Sequence, residues 1–193
     1  MDRTAFVQRD TKETQIEIFI SLDGGRIDID TGIGFFDHML NAFAHHGGFG
    51  LTVKVRGDLF IDCHHSIEDT GIVLGQAILK ALGDKTGIKR FGSAFVPMDE
   101  SLGFCSLDIS GRSFLVFNSI FPQEKIGDYD ACMTEEFFRA VSDNSGITLH
   151  LKNEYGKNSH HMVEALFKAF AYALKNAVSF NDSGELLSTK GVL

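Results

Sequence analysis

A chain of 193 residues that is 44% hydrophobic can bury a full core, and its length fits one domain better than several. Its net charge of −8 disfavours nucleic acid, no run approaches the ~20 apolar residues of a bilayer span, and the polar start MDRTAFVQRDTKETQ does not read as a secretion signal, so a cytoplasmic location with no membrane partner is expected. Cys63, Cys105 and Cys132 are scattered and show no C-x-x-C spacing, which excludes a disulfide framework and a thiolate zinc site.

In chain order, SLDGGR (21 to 26) reads as a strand turning at glycine into another strand. TGIGFFDH (31 to 38) has a G-x-G but neither the third glycine nor the preceding unit of a dinucleotide fold, so its glycines are expected to form a tight turn presenting Asp37 and His38. A helix through FFDHMLNAFAHHGG (35 to 48) follows, then the alternating strand LTVKVRGDLFID. HHSIEDTGIVLGQAILKALG (64 to 83) opens with His-His-x-x-Glu and continues as a helix with one apolar face through Ile67, Leu74, Ile78 and Leu82.

The same order then recurs. SLDISGR (106 to 112) echoes SLDGGR, and TEEFFRAVSDNSG (134 to 146) resembles the first helix. Aligning Gly48 with Gly146 sets His38 opposite Glu136. ITLHL (147 to 151) falls on LTVKV (51 to 55) at an offset of 96 residues, and HHMVEALFKAFAYALKNA (160 to 177) repeats the His-His-x-x-Glu helix at the same offset. The expected fold is therefore α+β: one domain, 1–193, of two pseudo-symmetric halves, about 1–90 and 91–193, each a small β-sheet covered by two helices.

Residues four apart share a helix face, so His64 with Glu68, and His160 with Glu164, can each chelate an ion. His65 and His161 point about 100° away, because a helix has about 3.6 residues per turn, and can reach a second ion. A pseudo-twofold then predicts one site of His160, Glu164 and His65 and another of His64, Glu68 and His161, with His38 and Glu136 as respective fourth ligands. Imidazole with carboxylate suits manganese, iron or zinc. His45, His46 and His150 lack the pattern and are expected to be structural or to support the ligands from behind. Phosphate-binding candidates are Arg90 in GIKRFG, Arg112 in SGRSF, Lys168, and the tail residues Ser188, Thr189 and Lys190, although Lys168 could equally pair with Glu164. No phosphate-loop or nucleophile-elbow motif occurs.

TKET (11 to 14), GIGFFDHML, DCHHSIEDTGI, GIKRFG, MDESL, DISGR, GKNSHHMVEALFKAFAYAL and STKGVL together make the chain resemble the imidazoleglycerol-phosphate dehydratase family over nearly its whole length, in its single-function form. That resemblance implies a repeated α+β fold of the kind found in the second domain of a small-subunit ribosomal protein. It implies dehydration of D-erythro-imidazole glycerol phosphate to imidazole acetol phosphate in histidine biosynthesis, with two Mn²⁺ ions per active site. The implied ligands are His38, His65, His160 and Glu164 for one ion, and His64, Glu68 and His161 for the other, with Glu136 where many members have histidine. It also implies a homo-oligomer, a 24-mer built from trimers with shared active sites.

The chemistry expected from these residues places the substrate's imidazolate between the two ions. Glu13 contacts substrate hydroxyls or moves the proton, Glu68 and Glu164 alternate between holding metal and acting as base, and Asp99 stands behind the ligands. A binuclear phosphate-ester hydrolase and a non-enzymatic metal-storing cage are the rival readings. Release of inorganic phosphate would mark the first, and absence of any ketone product the second.

Overall fold

Along β2 (Thr14–Ser21) buried and exposed positions alternate: Ile16, Ile18 and Ile20 are fully buried while Gln15, Glu17 and Phe19 face out. That is the pattern of a sheet with one packed face and one solvated face. The computed structural model describes residues 3–181, 184, 185 and 187. β2 pairs antiparallel with β1 (Thr4–Asp10) and β4 (Gly50–Gly57), and β3 (Ile27–Asp30) adds to β4 in parallel, giving the order β1-β2-β4-β3.

The second half repeats this plan. β5 (Phe91–Met98), β6 (Ser101–Asp108), β7 (Phe114–Asn118) and β10 (Thr148–Tyr155) form a sheet of order β5-β6-β10-β7, again with one parallel pair, β7 with β10. A two-strand ribbon, β8 (Lys125–Ile126) with β9 (Tyr129–Asp130), precedes the third helix.

The helices α1 (Gly34–Gly47) and α3 (Met133–Ser145) end on Gly48 and Gly146, each at φ 69°, a left-handed cap that glycine adopts without strain. α2 (His64–Leu82) lies on β1 and β2, and α4 (Ser159–Val178) lies on β5 and β6. Two repeated α+β halves are therefore present, as the sequence predicts.

The register corrects one expectation. Gly48 and Gly146 are 98 positions apart, and β4 matches β10 at that same offset, so Leu51 corresponds to Leu149 and Val53 to Leu151. The offset falls to 96 only at the His-His motif, because the loop from β10 to α4 is shorter than the loop from β4 to α2. A two-residue slip keeps every strand side chain on its own face, so alternation alone does not detect it.

Helix contacts cross between the halves: α2 packs on α3, and α1 packs on α4. Phenyl rings interleave among α1, α3 and α4, with Phe36 on Phe137 at 5.3 Å, Phe43 stacked on Phe170 at 5.3 Å, and Phe137 stacked on Phe167 at 5.2 Å between centroids. The buried apolar residues form a single cluster drawn from both halves.

At the α2–α3 contact, a Cβ added to Gly71 would lie 2.7 Å from the Phe137 carbonyl oxygen and 2.8 Å from Ala140 Cβ. Gly71→Ala is thus expected to lower stability by about 1–3 kcal/mol through overpacking, despite alanine's better helix propensity. Thermal unfolding measures it, and an unchanged or raised midpoint would refute the close contact.

Candidate metal centre and active site

Both copies of His-His-x-x-Glu occupy the first turn of a long helix. In α2 the His64 N–H donates to Asp62 Oδ1 at 2.7 Å, and in α4 the His160 N–H donates to Asn158 Oδ1 at 2.9 Å. These bonds satisfy amides that a helix start leaves unpaired and fix where each motif begins. The four-residue spacing then sets each first histidine over its own glutamate. His64 Nε2 lies 3.2 Å from Glu68 Oε2, and His160 Nε2 lies 3.4 Å from Glu164 Oε2.

α1 adds a third group at the second motif. Asp37 Oδ1 accepts the Thr31 N–H at 2.8 Å and the Thr31 hydroxyl at 2.6 Å, and Gly32 turns the chain at φ 77°. TGIGFFDH thus forms the tight turn expected of it, and α1 carries His38 onto α4. His38 Nε2 is 3.5 Å from Glu164 Oε2, and the donor atoms of His38, His160 and Glu164 all lie within 4.8 Å of one another.

Glu164 is only 5% exposed, and Lys168 Nζ donates to its other carboxylate oxygen at 2.6 Å. Burial pushes the Glu164 carboxyl up, but the Lys168 ammonium, with His38 and His160 beyond it, outweighs this and holds it below the usual range. Two imidazoles and one ionised carboxylate converge on a point that the half-exposed histidines leave open to solvent. That donor set fits a borderline divalent cation such as Mn²⁺ and leaves coordination positions for a substrate.

The second histidine of each pair turns elsewhere. His65 Nδ1 is 3.0 Å from Asp58 Oδ2, and its Nε2 is 4.0 Å from Glu13 Oε2. His161 Nδ1 is 2.7 Å from Glu100 Oε2, and its Nε2 is 3.7 Å from Asp99 Oδ2. The Asp58 and Glu100 carboxylates raise these imidazole pKa values, and His161 with two backbone amides holds Glu100 down at about 2.

Among the described residues, His38, His160 and Glu164 are the one converging ligand group, so His65 does not join His160 and Glu164 within one chain, nor does His161 join His64 and Glu68. Glu136 likewise stays apart: Arg139, one turn along the same helix, approaches it at 3.7 Å while bonding Glu135 at 2.5 Å. Asp99 lies on the outward Nε2 side of His161, not behind it. Sequence spacing singles out neither Asp58 nor Glu100, because a lone carboxylate in GD or DES carries no periodic signal.

A family model described as imidazoleglycerol-phosphate dehydratase matches residues 31–174, from the turn before α1 to α4. A relative of that name from Clostridium acetobutylicum is 60% identical over 98% of this chain and 97% of its own length. Another, from Acetivibrio thermocellus, is 56% identical over 100% of both chains. The chain belongs to the imidazoleglycerol-phosphate dehydratase family. It is a hydro-lyase of histidine biosynthesis.

Two solved structures agree. The imidazoleglycerol-phosphate dehydratase of Staphylococcus aureus superposes with a TM-score of 0.85 at 42% identity, covering 92% of this chain and 99% of its own. The IGPD of Pyrococcus furiosus, crystallised in complex with (S)-C348, gives 0.83 at 35% identity, covering 97% and 100%.

Arg90 and Arg112, two of the expected phosphate binders, both stand beside Asp108. Arg90 donates from Nε and Nη2 to the two oxygens of Asp108 at 2.7 and 3.0 Å, while Nη1 donates to the Leu187 carbonyl at 2.7 Å. Three of its five N–H donors are therefore taken by the protein itself. Arg112 Nη2 stands 4.0 Å from the same Asp108, with its side chain mostly exposed.

Ser188, Thr189 and Lys190 lie outside the described residues, directly after Leu187. Lys168 sits in the His38–His160–Glu164 cluster, with Met98 Sδ at 3.5 Å, away from that corner's Asp108 pairing. Glu13, in the turn between β1 and β2, is exposed and faces His65. His46 bonds the Tyr172 hydroxyl through Nδ1 at 3.3 Å, and His150 faces outward on β10.

Proposed function

We propose that the chain converts D-erythro-imidazole glycerol phosphate to imidazole acetol phosphate with two Mn²⁺ ions per active site. His38, His160 and Glu164 would hold one ion and His64 and Glu68 the other, with Glu136 as a further carboxylate ligand. Bound there, the ions would supply Lewis acidity to the substrate's imidazolate ring between them, easing departure of the hydroxyl on the ring-bearing carbon. The convergence of His38, His160 and Glu164 carries this reading.

The chain's own groups account for the rest. Glu13 takes the proton from the carbon beside the ring-bearing one, the hydroxyl leaves as water, and the resulting enol becomes the ketone. Glu68 and Glu164 are the other carboxylates within reach of a proton, each one turn from its histidine. Arg112 receives the phosphate, with Arg90, Ser188, Thr189 and Lys190 as further candidates. Lys168 balances the charge of Glu164 and, with its remaining donors, is a further phosphate candidate.

His65 and His161 present Nε2 away from their own glutamates, which supports sites completed by a neighbouring copy in a trimer-built 24-mer. Three unpaired cysteines fit a reducing, cytoplasmic setting, and no helix among the described residues is long and apolar enough to cross a membrane.

Two measurements test this. Chelation and dialysis are expected to abolish ketone formation and Mn²⁺ to restore it; full turnover by metal-stripped protein would defeat the proposal. Arg112→Ala is expected to raise KM about 10–100-fold, since a charged hydrogen bond is worth about 1.5–3 kcal/mol and about 1.4 kcal/mol is a factor of ten. An unchanged KM would remove Arg112 from the phosphate site.

A further inference from the structure

His65 and His161 are each gripped from behind by a carboxylate, and the two carboxylates do not occupy corresponding positions of the repeat. Both oxygens of Asp58 lie within 3.2 Å of His65 Nδ1, and Glu100 Oε2 lies 2.7 Å from His161 Nδ1. An ionised carboxylate only accepts, so each bond requires the proton on Nδ1 and leaves the Nε2 lone pair available. We propose that Asp58 and Glu100 are positioning residues: each fixes the tautomer and ring orientation in which its histidine offers Nε2 to a divalent cation. The inference rests on the metal reading above.

The two carboxylates come from unrelated places. Asp58 directly follows β4, and the position directly after β10 is Gly156. A Cβ there would lie 2.4 Å from Met162 Cγ and 2.6 Å from Ser101 Oγ, so an aspartate would displace those side chains. Glu100 instead reaches across from the turn between β5 and β6. The contact recurs in both halves, while its position does not.

Glu100 is itself pinned. Its Oε1 accepts the N–H groups of Lys157 at 3.1 Å and Asn158 at 2.9 Å, in the loop that starts α4, leaving Oε2 for the imidazole. On the far side, both rings turn Nε2 toward a hairpin carboxylate too distant for a hydrogen bond, Glu13 at 4.0 Å and Asp99 at 3.7 Å. All four motif histidines thus direct Nε2 at carboxylate oxygen.

The test exploits this geometry. In Glu100→Gln the amide oxygen keeps the two backbone bonds, so the NH₂ group faces His161 Nδ1 and drives the ring proton to Nε2, the wrong nitrogen for a cation. Asp58→Ala removes the other partner, and Asp58→Asn retains an accepting oxygen. Mn²⁺ titration of metal-stripped, assembled protein by calorimetry is expected to show Kd weakened about 10–100-fold in Glu100→Gln and Asp58→Ala, with most of the loss regained in Asp58→Asn.

The unfolding temperature in EDTA is expected to stay at the unsubstituted value. A Kd within about twofold of the unsubstituted protein in both variants, or a loss matched by weaker metal-free folding, would overturn the inference. If the unsubstituted protein takes up no Mn²⁺, the metal reading fails and this inference falls with it. If that protein binds Mn²⁺ and the variants bind equally well, only the inference fails.

Discussion

Glu164→Gln is expected to cut turnover at least about a thousandfold while far-ultraviolet circular dichroism keeps its native shape. The carboxylate is where His38, His160 and Lys168 meet, so three nitrogen groups surround its charge. An amide there no longer balances a cation, and elemental analysis is expected to show one Mn²⁺ fewer per chain. Losing Lewis-acid help worth several kcal/mol, at about 1.4 kcal/mol per factor of ten, accounts for the fall in rate. Stability falls less, by about 1–3 kcal/mol, for the Lys168 ammonium left without its charged partner. A variant with native turnover and native metal content would remove Glu164 from the centre.

His65→Ala and Glu164→Gln, each inactive alone, are expected to regain about a quarter of the unsubstituted activity when dissociated, mixed in equal amounts and reassembled. His65 stays with Asp58 and Glu13 and does not join the His38–His160–Glu164 group of its own chain. If the histidine comes from a neighbour, a site is intact whenever one chain supplies Glu164 and the other supplies His65, which random pairing gives about one time in four. The readout is ketone formed per mole of mixed protein against each parent. No recovery would confine each site to one chain and end the shared-site proposal.

The repeat is legible in the sequence because it preserves what periodicity registers: strand alternation in β2, the apolar faces of α2 and α4, and the spacing from His160 to Glu164. Partners across space leave no such trace. Nothing in the spacing says that α2 would lie on α3 and α1 on α4, because a helix face records that it is buried and not by what.

The slip between LTVKV and ITLHL escapes for a related reason, since a period of two is blind to a shift of two. His38 is legible as Glu136's counterpart through the matching glycine caps, yet the two differ in surroundings. His38 meets α4's ligands, while Glu136 meets Arg139 on its own helix. The hold of Asp58 and Glu100 on the second histidines is invisible in the chain because the two arise from loops that do not correspond, one after β4 and one between β5 and β6.

The crossed pairing of helices has a consequence for how such a molecule can be divided. A polypeptide ending after α2 would carry a finished sheet whose principal helix has lost the companion it leans on, and the remaining piece would be bare in the complementary place. Neither fragment is self-sufficient; each is the other's missing wall. Co-expressed, the two are expected to snap together, and unfolding of the whole should proceed in one concerted step, because no boundary exists along which the architecture could come apart gently.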